Sequence, residues 1–242
     1  LFQSVIEIFF IYAYAACQMI YKDLIFGEEF VLHTGYVYPK FAYYGTYYYI
    51  LHVQIWGVVM LSVNRYVTVC QPFSKLAKLY ERVGTPVLWA VNVSVPLLLM
   101  IRMLFQGDVY YYRSSEGVVT IYTPMEIVKT NALQGMIATL LGSFVCAVCY
   151  FLVIRRLAES HKFHDSNLRD YRREKMLTVV GFALFLALCV STLFYVLIGV
   201  NAANDNDPGV QAIRVYYIYA LMALTFVNPW MLMLTNQNTR RR

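Results

Sequence analysis

Charge is what this sequence has least of. Only 14% of its 242 residues are charged, 60% are hydrophobic, and the mean hydropathy is +0.52. That balance excludes a soluble domain of this size, in which about a quarter of residues carry charge. Cysteines are few, and Cys17, Cys70, Cys146, Cys149 and Cys189 all avoid the loops assigned below to the outside. An extracellular disulfide framework is therefore excluded. Cys146 and Cys149 make a CxxC, but inside an apolar run, where small packing residues are a better reading than a redox or zinc pair. No internal repeat is visible, which argues against an inverted-repeat transporter. His161 and His164 fall in a charged loop, and His52 and Glu7 stand alone in their apolar blocks. Paired groups for catalysis or metal binding are thus missing, and no enzyme, metal site or cofactor is expected.

What is present is a set of six apolar blocks: residues 1–21, 41–66, 85–105, 130–154, 176–200 and 212–235. Each is about 20 to 25 residues, enough to cross roughly 30 Å of hydrocarbon. Within lipid an open chain must be helical to satisfy its own backbone. The basic residues fall in alternate loops. Lys75, Lys78 and Arg82 lie in one, Arg155, Arg156, Lys162, Arg169, Arg172, Arg173 and Lys175 in another, and Arg240 to Arg242 in the tail. The remaining loops are mixed or acidic, so the basic set is cytosolic. This topology also accounts for the net charge of +6, and no nucleic-acid partner is expected. Leu1 sits directly in an apolar run, and both ends of the chain fall inside. One further helix upstream would make seven, with the native N-terminus outside.

The second block carries the most information. It runs as FAYYGTYYYILHVQIWGVVMLSVNRYVTVCQP from Phe41 to Pro72 and ends on an arginine, Arg65. Arginine at a membrane helix end either snorkels to the interface or has a partner. Tyr47 precedes Arg65 by 18 residues, about five turns and roughly 27 Å of rise. The two therefore share one helical face, with Leu51, Gln54 and Val58 between them. Such a helix can join an outer cavity to an inner surface.

These residues also carry a resemblance. Asn64-Arg65-Tyr66, followed by Pro72, is similar to the Asp-Arg-Tyr motif and proline at the end of the third helix of rhodopsin-like G-protein-coupled receptors. Asn228-Pro229 resembles the Asn-Pro motif of the seventh helix, and Trp89 the tryptophan of the fourth. With the blocks numbered as helices two to seven, all three fall in the right order. LSVNRYVTVCQP, the ending FVNPWMLMLTNQNTRR and the many tyrosines look most like nematode serpentine chemoreceptors of the class gamma and class V group. Asn64 stands where the family has an acid, Leu232 where helix seven has a tyrosine, and the outer disulfide cysteines are absent. Those departures suit a divergent chemoreceptor better than an aminergic or peptide receptor. A retinal pigment is disfavoured, because the last block has no lysine for a Schiff base.

The resemblance implies an all-α membrane protein, a seven-transmembrane bundle forming one domain over residues 1–242, here with its first helix missing. It implies chemosensory signalling from a small extracellular ligand to a heterotrimeric G protein, in the plasma membrane of a sensory cell. A receptor dimer is compatible with that reading. Asn64, Arg65, Tyr66, Pro72, Phe73 and Glu174 are the expected G-protein coupling residues, with Glu174 able to pair with Arg65. Tyr47 and Leu51, with Asn131 and Gln134 opposite, are the expected ligand contacts. Asn228 and Pro229 would form the helix-seven switch, and Glu7 is an intramembrane acid, a functional position by default. The alternative is a multi-pass small-molecule transporter or channel.

Overall fold

In a computed structural model of the chain, the residues described are 32–33, 37–40, 44, 48–83, 85–105, 109–113, 119–161, 168–206, 208–210, 212–214, 216–217, 219–220 and 223. A short turn of helix, α1 (Val37–Lys40), precedes the long helix α2 (Tyr49–Cys70). The amphipathic α3 (Lys75–Arg82) and then α4 (Thr85–Leu104) follow. An antiparallel hairpin, β1 (Tyr110–Arg113) and β2 (Val119–Tyr122), precedes two long helices, α5 (Met125–His161) and α6 (Leu168–Ala203). The described residues between 208 and 223 are also helical.

Three of these helices are long and apolar enough to cross a membrane, over Leu51–Cys70, Met125–Glu159 and Met176–Ala203. The apolar blocks at 130–154 and 176–200 are the middles of longer helices. At about 1.5 Å per residue, the 37 residues of α5 reach roughly 55 Å, well beyond the hydrocarbon. Its polar end continues as helix on exposed pairs such as Arg155 Nε to Glu159 at 3.0 Å, four residues apart. At the opposite end, α6 closes on a left-handed residue, Asp205, at φ 53°. The Asp205 amide donates to the Ala202 carbonyl and the Asn206 amide to that of Asn201, pairing two carbonyls that a helix end leaves open.

Glycines fix how α5 and α6 pack. Gly135 lies under the ring of Tyr195, Gly142 against Ile55, Val59 and Leu188, and Gly181 against the hydroxyl end of Tyr150. These pairings run in opposite chain directions, so the two helices are antiparallel. A tyrosine of α6 fills a notch on α5 near one end, and a tyrosine of α5 fills a notch on α6 near the other. Small residues let membrane helices approach closely and gain dispersion contacts, because lipid supplies no hydrophobic drive to pair them. At mid-seam Thr192 Oγ1 donates to the Leu188 carbonyl at 2.9 Å, so Ser143 Oγ, 3.0 Å away, is the donor to Thr192.

The main core joins Leu51, Ile55 and Val58 of α2 to Cys146 and Tyr150 of α5, and to Leu184, Leu188 and Tyr195 of α6. Apolar side chains also cover the outside. Leu141, Phe144 and Phe151 of α5 are exposed, as are Leu186 and Leu193 of α6. Helices apolar on both the core and the outer face belong in lipid.

Two elements lay in segments read from sequence only as loops. The hairpin occupies the outer segment between α4 and α5, in register Tyr110–Tyr122 and Tyr112–Thr120. Its rings meet across the strands, Tyr110–Tyr122 directly opposed at 5.0 Å and Tyr112–Tyr122 diagonally and edge to face at 5.9 Å. Aromatic cross-strand pairs of this kind stabilise a hairpin. Helix α3 occupies the segment between α2 and α4, the loop that the charge bias assigns to the cytosol. It starts where Ser74 Oγ accepts the Ala77 amide at 3.1 Å.

Candidate ligand and coupling sites

Helix α2 positions both ends of the candidate site. The face drawn from sequence is turned inward: Leu51, Gln54 and Val58 are all buried. At the outer end, Tyr44 and Tyr48 pack with Met100 of α4 and Val109 at the foot of the hairpin, and Ile127 of α5 packs onto the same group. The hydroxyl of Tyr49 donates to the Val93 carbonyl of α4 at 3.0 Å. Pro96 has no N–H to offer one turn back in that helix, which loosens its backbone ladder there.

Asn131 lies one turn from Ile127 and one turn from Gly135, on the stripe of α5 between the Tyr44–Tyr48 group and the ring of Tyr195. It is 0% exposed, and neither atom of its amide has a partner among the described residues. A buried amide without hydrogen bonds costs about 1–3 kcal/mol. His52, also buried, stands 2.8 Å from the Tyr48 carbonyl through Nδ1, which must carry the proton because a carbonyl only accepts. Its Nε2 has no partner among the described residues. Leu51 belongs to the central core with Tyr195 and Tyr217, whose rings meet edge to face at 5.2 Å. The outer region is thus aromatic, with a few buried polar groups that find no hydrogen-bond partner among the described residues. Gln134 is half-buried near Asn131 in sequence.

At the inner end, the hydroxyl of Ser62 lies 2.7 Å from the Val58 carbonyl and 3.2 Å from Cys146 Sγ, tying α2 to α5. Cys146 is therefore a packing residue, as its apolar setting predicted. Tyr150, one turn further along α5, is within electrostatic reach of Arg65 and packs on Phe185 at 6.3 Å between centroids. Arg65 itself is half-buried. Its neighbours are held locally: Thr68 Oγ1 donates to the Asn64 carbonyl at 2.7 Å, and Gln71 Nε2 donates to the Tyr66 hydroxyl at 2.8 Å. Beyond the helix, Pro72 is exposed and Phe73 is 90% exposed, an apolar ring projecting from the bundle end.

The structure therefore places Leu51 and Asn131 in the outer half and Asn64, Arg65, Tyr66, Pro72 and Phe73 at the inner end. Tyr47, Glu7, Asn228 and Pro229 lie outside the described residues. Glu174 falls on α6, with its side chain outside what is described. Sequence reading missed Tyr150, Tyr195 and Tyr217 as core residues. Tyr150 and Tyr195 each face a glycine on the other helix, a pairing that only the packing reveals.

Membrane-capable helices, an aromatic region at one end and an arginine at the other make up a polytopic helical bundle. The family model of the serpentine type 7TM GPCR chemoreceptor Srv matches residues 1–242, and the chain belongs to this family. Its fold is accordingly the seven-transmembrane helix bundle, and it is an integral, multi-pass membrane protein. A search of curated proteins finds no match.

Proposed function

We propose that this chemoreceptor binds a small neutral molecule from outside the cell and passes the event to a cytosolic heterotrimeric G protein. The observation that carries this reading is the fully buried amide of Asn131, unpartnered among the described residues, one turn from Gly135 under the Tyr195 ring of the central core. An amide offers one acceptor and two donor hydrogens, so it favours a ligand with both functions. Leu51 and Tyr47 would supply apolar and aromatic contact, and Gln134 a second polar one.

At the inner end, Arg65 pairs with Glu174 in the resting bundle, and separation of the helices frees the guanidinium for the C-terminal segment of a Gα subunit. Phe73 enters an apolar pocket on the same partner, with Asn64, Tyr66 and Pro72 shaping the surface. Asn228 and Pro229 provide the flexible point in the last helix. Glu7 anchors the bundle interior. The receptor acts at the plasma membrane of a sensory cell, by shifting an equilibrium between two existing conformations.

The test is ligand-screened and ligand-independent G-protein activation in cells, beside Arg65→Ala at equal surface expression. Loss of at least roughly tenfold in activation, worth about 1.4 kcal/mol of coupling, is expected. Full signalling without Arg65 would remove the coupling mechanism. Ligand accumulation inside reconstituted vesicles, with no G-protein response from either form, would favour the transporter instead.

A further inference from the structure

We propose that α3 is an interfacial helix that seats on the anionic phospholipid surface of the cytosolic leaflet. Leu76 and Leu79 enter the acyl boundary, and Lys75, Lys78 and Arg82 meet headgroup phosphates.

The segment KLAKLYER sorts its residues by side. At about 100° per residue, Leu76 and Leu79 lie about 60° apart, and Lys75, Lys78 and Arg82 fall within another arc of about 60°. Ala77, buried at 8% exposure, marks the edge turned to the protein. Leu76 and Leu79 are 40% and 52% exposed, and the three basic residues are exposed beside them. Leucines on the open side of a surface helix lose stability in water and gain it on entering lipid.

What covers that face follows from where the helix is tethered. Only Gln71 to Ser74 separate the last residue of the membrane-capable α2 from the first of α3. Four residues reach at most about 14 Å even when fully extended. The first turn of α3 is therefore held close to the end of α2, where that helix reaches the bilayer surface. The Ser74 cap fixes its first turn, and Val83 N–H donates to the Leu79 carbonyl at 2.8 Å to close its last. The cytosolic leaflet carries negative charge, and each Lys or Arg near it strengthens attachment by roughly fivefold. Long basic side chains can lie along the leucines and still reach the phosphates. The placement rests on the orientation assigned from the alternate-loop charge bias, not on G-protein coupling. Phe73, outside the helix, remains free for the Gα contact.

The test is amide hydrogen exchange on the whole receptor in nanodiscs of phosphatidylcholine alone and of phosphatidylcholine with phosphatidylserine. Amides of residues 75–82 are expected to exchange at least roughly tenfold more slowly in the mixed discs, an effect that salt weakens. Lys75→Gln with Lys78→Gln and Arg82→Gln should abolish the difference. Leu76→Ser with Leu79→Ser should speed exchange in both discs. Exchange in α2 serves as the control for folding, and if the triple variant disturbs it, Lys78→Gln alone should still lose roughly fivefold. Equal exchange in both lipids would overturn the proposal. So would protection that appears only when a Gα subunit is added, which would make α3 a protein-docking helix.

Discussion

Helix α5 treats two polar positions in opposite ways. At mid-seam, Ser143 donates to Thr192, which donates in turn to the Leu188 carbonyl, so both hydroxyls are used within the bundle. Three turns toward the outside, Asn131 is buried just as deeply as the core around it, yet its amide is matched by nothing among the described residues. The contrast separates a polar group that builds the bundle from one that the bundle holds in reserve. It also locates the difference on one helix, where local propensity cannot explain it.

The largest effects should come from closing the seam itself. Gly135→Ala places a methyl group inside the ring of Tyr195, and Gly181→Ala places one against the Tyr150 hydroxyl. Each should destabilise by about 1–3 kcal/mol in thermal melts of the solubilised receptor. Combining Gly181→Ala with Tyr150→Phe should recover only part of that loss, because ring carbons of residue 150 also lie within 3 Å of the new methyl, and a double-mutant cycle reads the coupling. Strict additivity would mean that the ring and the glycine do not share the notch.

Asn131→Leu tests the reserved position, and its two readouts should move in opposite directions. Removing an unmatched buried amide should raise stability by about 1–2 kcal/mol, while the ligand response falls by at least roughly tenfold. Lower stability would show that the amide serves the bundle after all. Ser143→Ala should behave in the reverse sense, costing about 1 kcal/mol of stability and leaving the response intact. Smallest of all, Lys129→Ala breaks the 2.7 Å pair with Asp205, whose partners are 39% and 71% exposed. Its cost should stay within about 0.5 kcal/mol and vanish at high salt.

Among the described residues, the apolar blocks at 130–154 and 176–200 were legible because hydrophobic length is a one-dimensional signal, and the inward stripe of α2 because periodicity is one too. Leu51, Gln54 and Val58 were placed on one face by spacing, and all three are buried there. The notches were not legible. Pairing Gly135 with Tyr195, or Gly181 with Tyr150, requires the relative height of two helices, and nothing within either helix records it. The hairpin was hidden by its own composition, since Tyr110 to Tyr112 reads equally as an interfacial belt. Helix α3 was hidden because Lys75, Lys78 and Arg82 read equally as a charged cytosolic loop. The Ser74 cap and the spacing of Leu76 and Leu79 were the local signals available. Asn131 stood out as a polar residue in an apolar block, but its unmatched amide is a property of what surrounds it.

The reciprocal notches have a mechanical consequence. Gly135 and Tyr150 are about 22 Å apart along α5, and Gly181 and Tyr195 about 21 Å along α6, at 1.5 Å per residue. The two ring–glycine contacts are therefore spaced equally on both helices and point in opposite directions. For α6 to slip past α5 by one turn, about 5.4 Å, both rings would have to climb out of their sockets together. Axial sliding is blocked at two points, whereas rolling or pivoting keeps each ring seated. Any signal crossing this part of the bundle should travel as a tilt of the α5–α6 pair, carried as one lever.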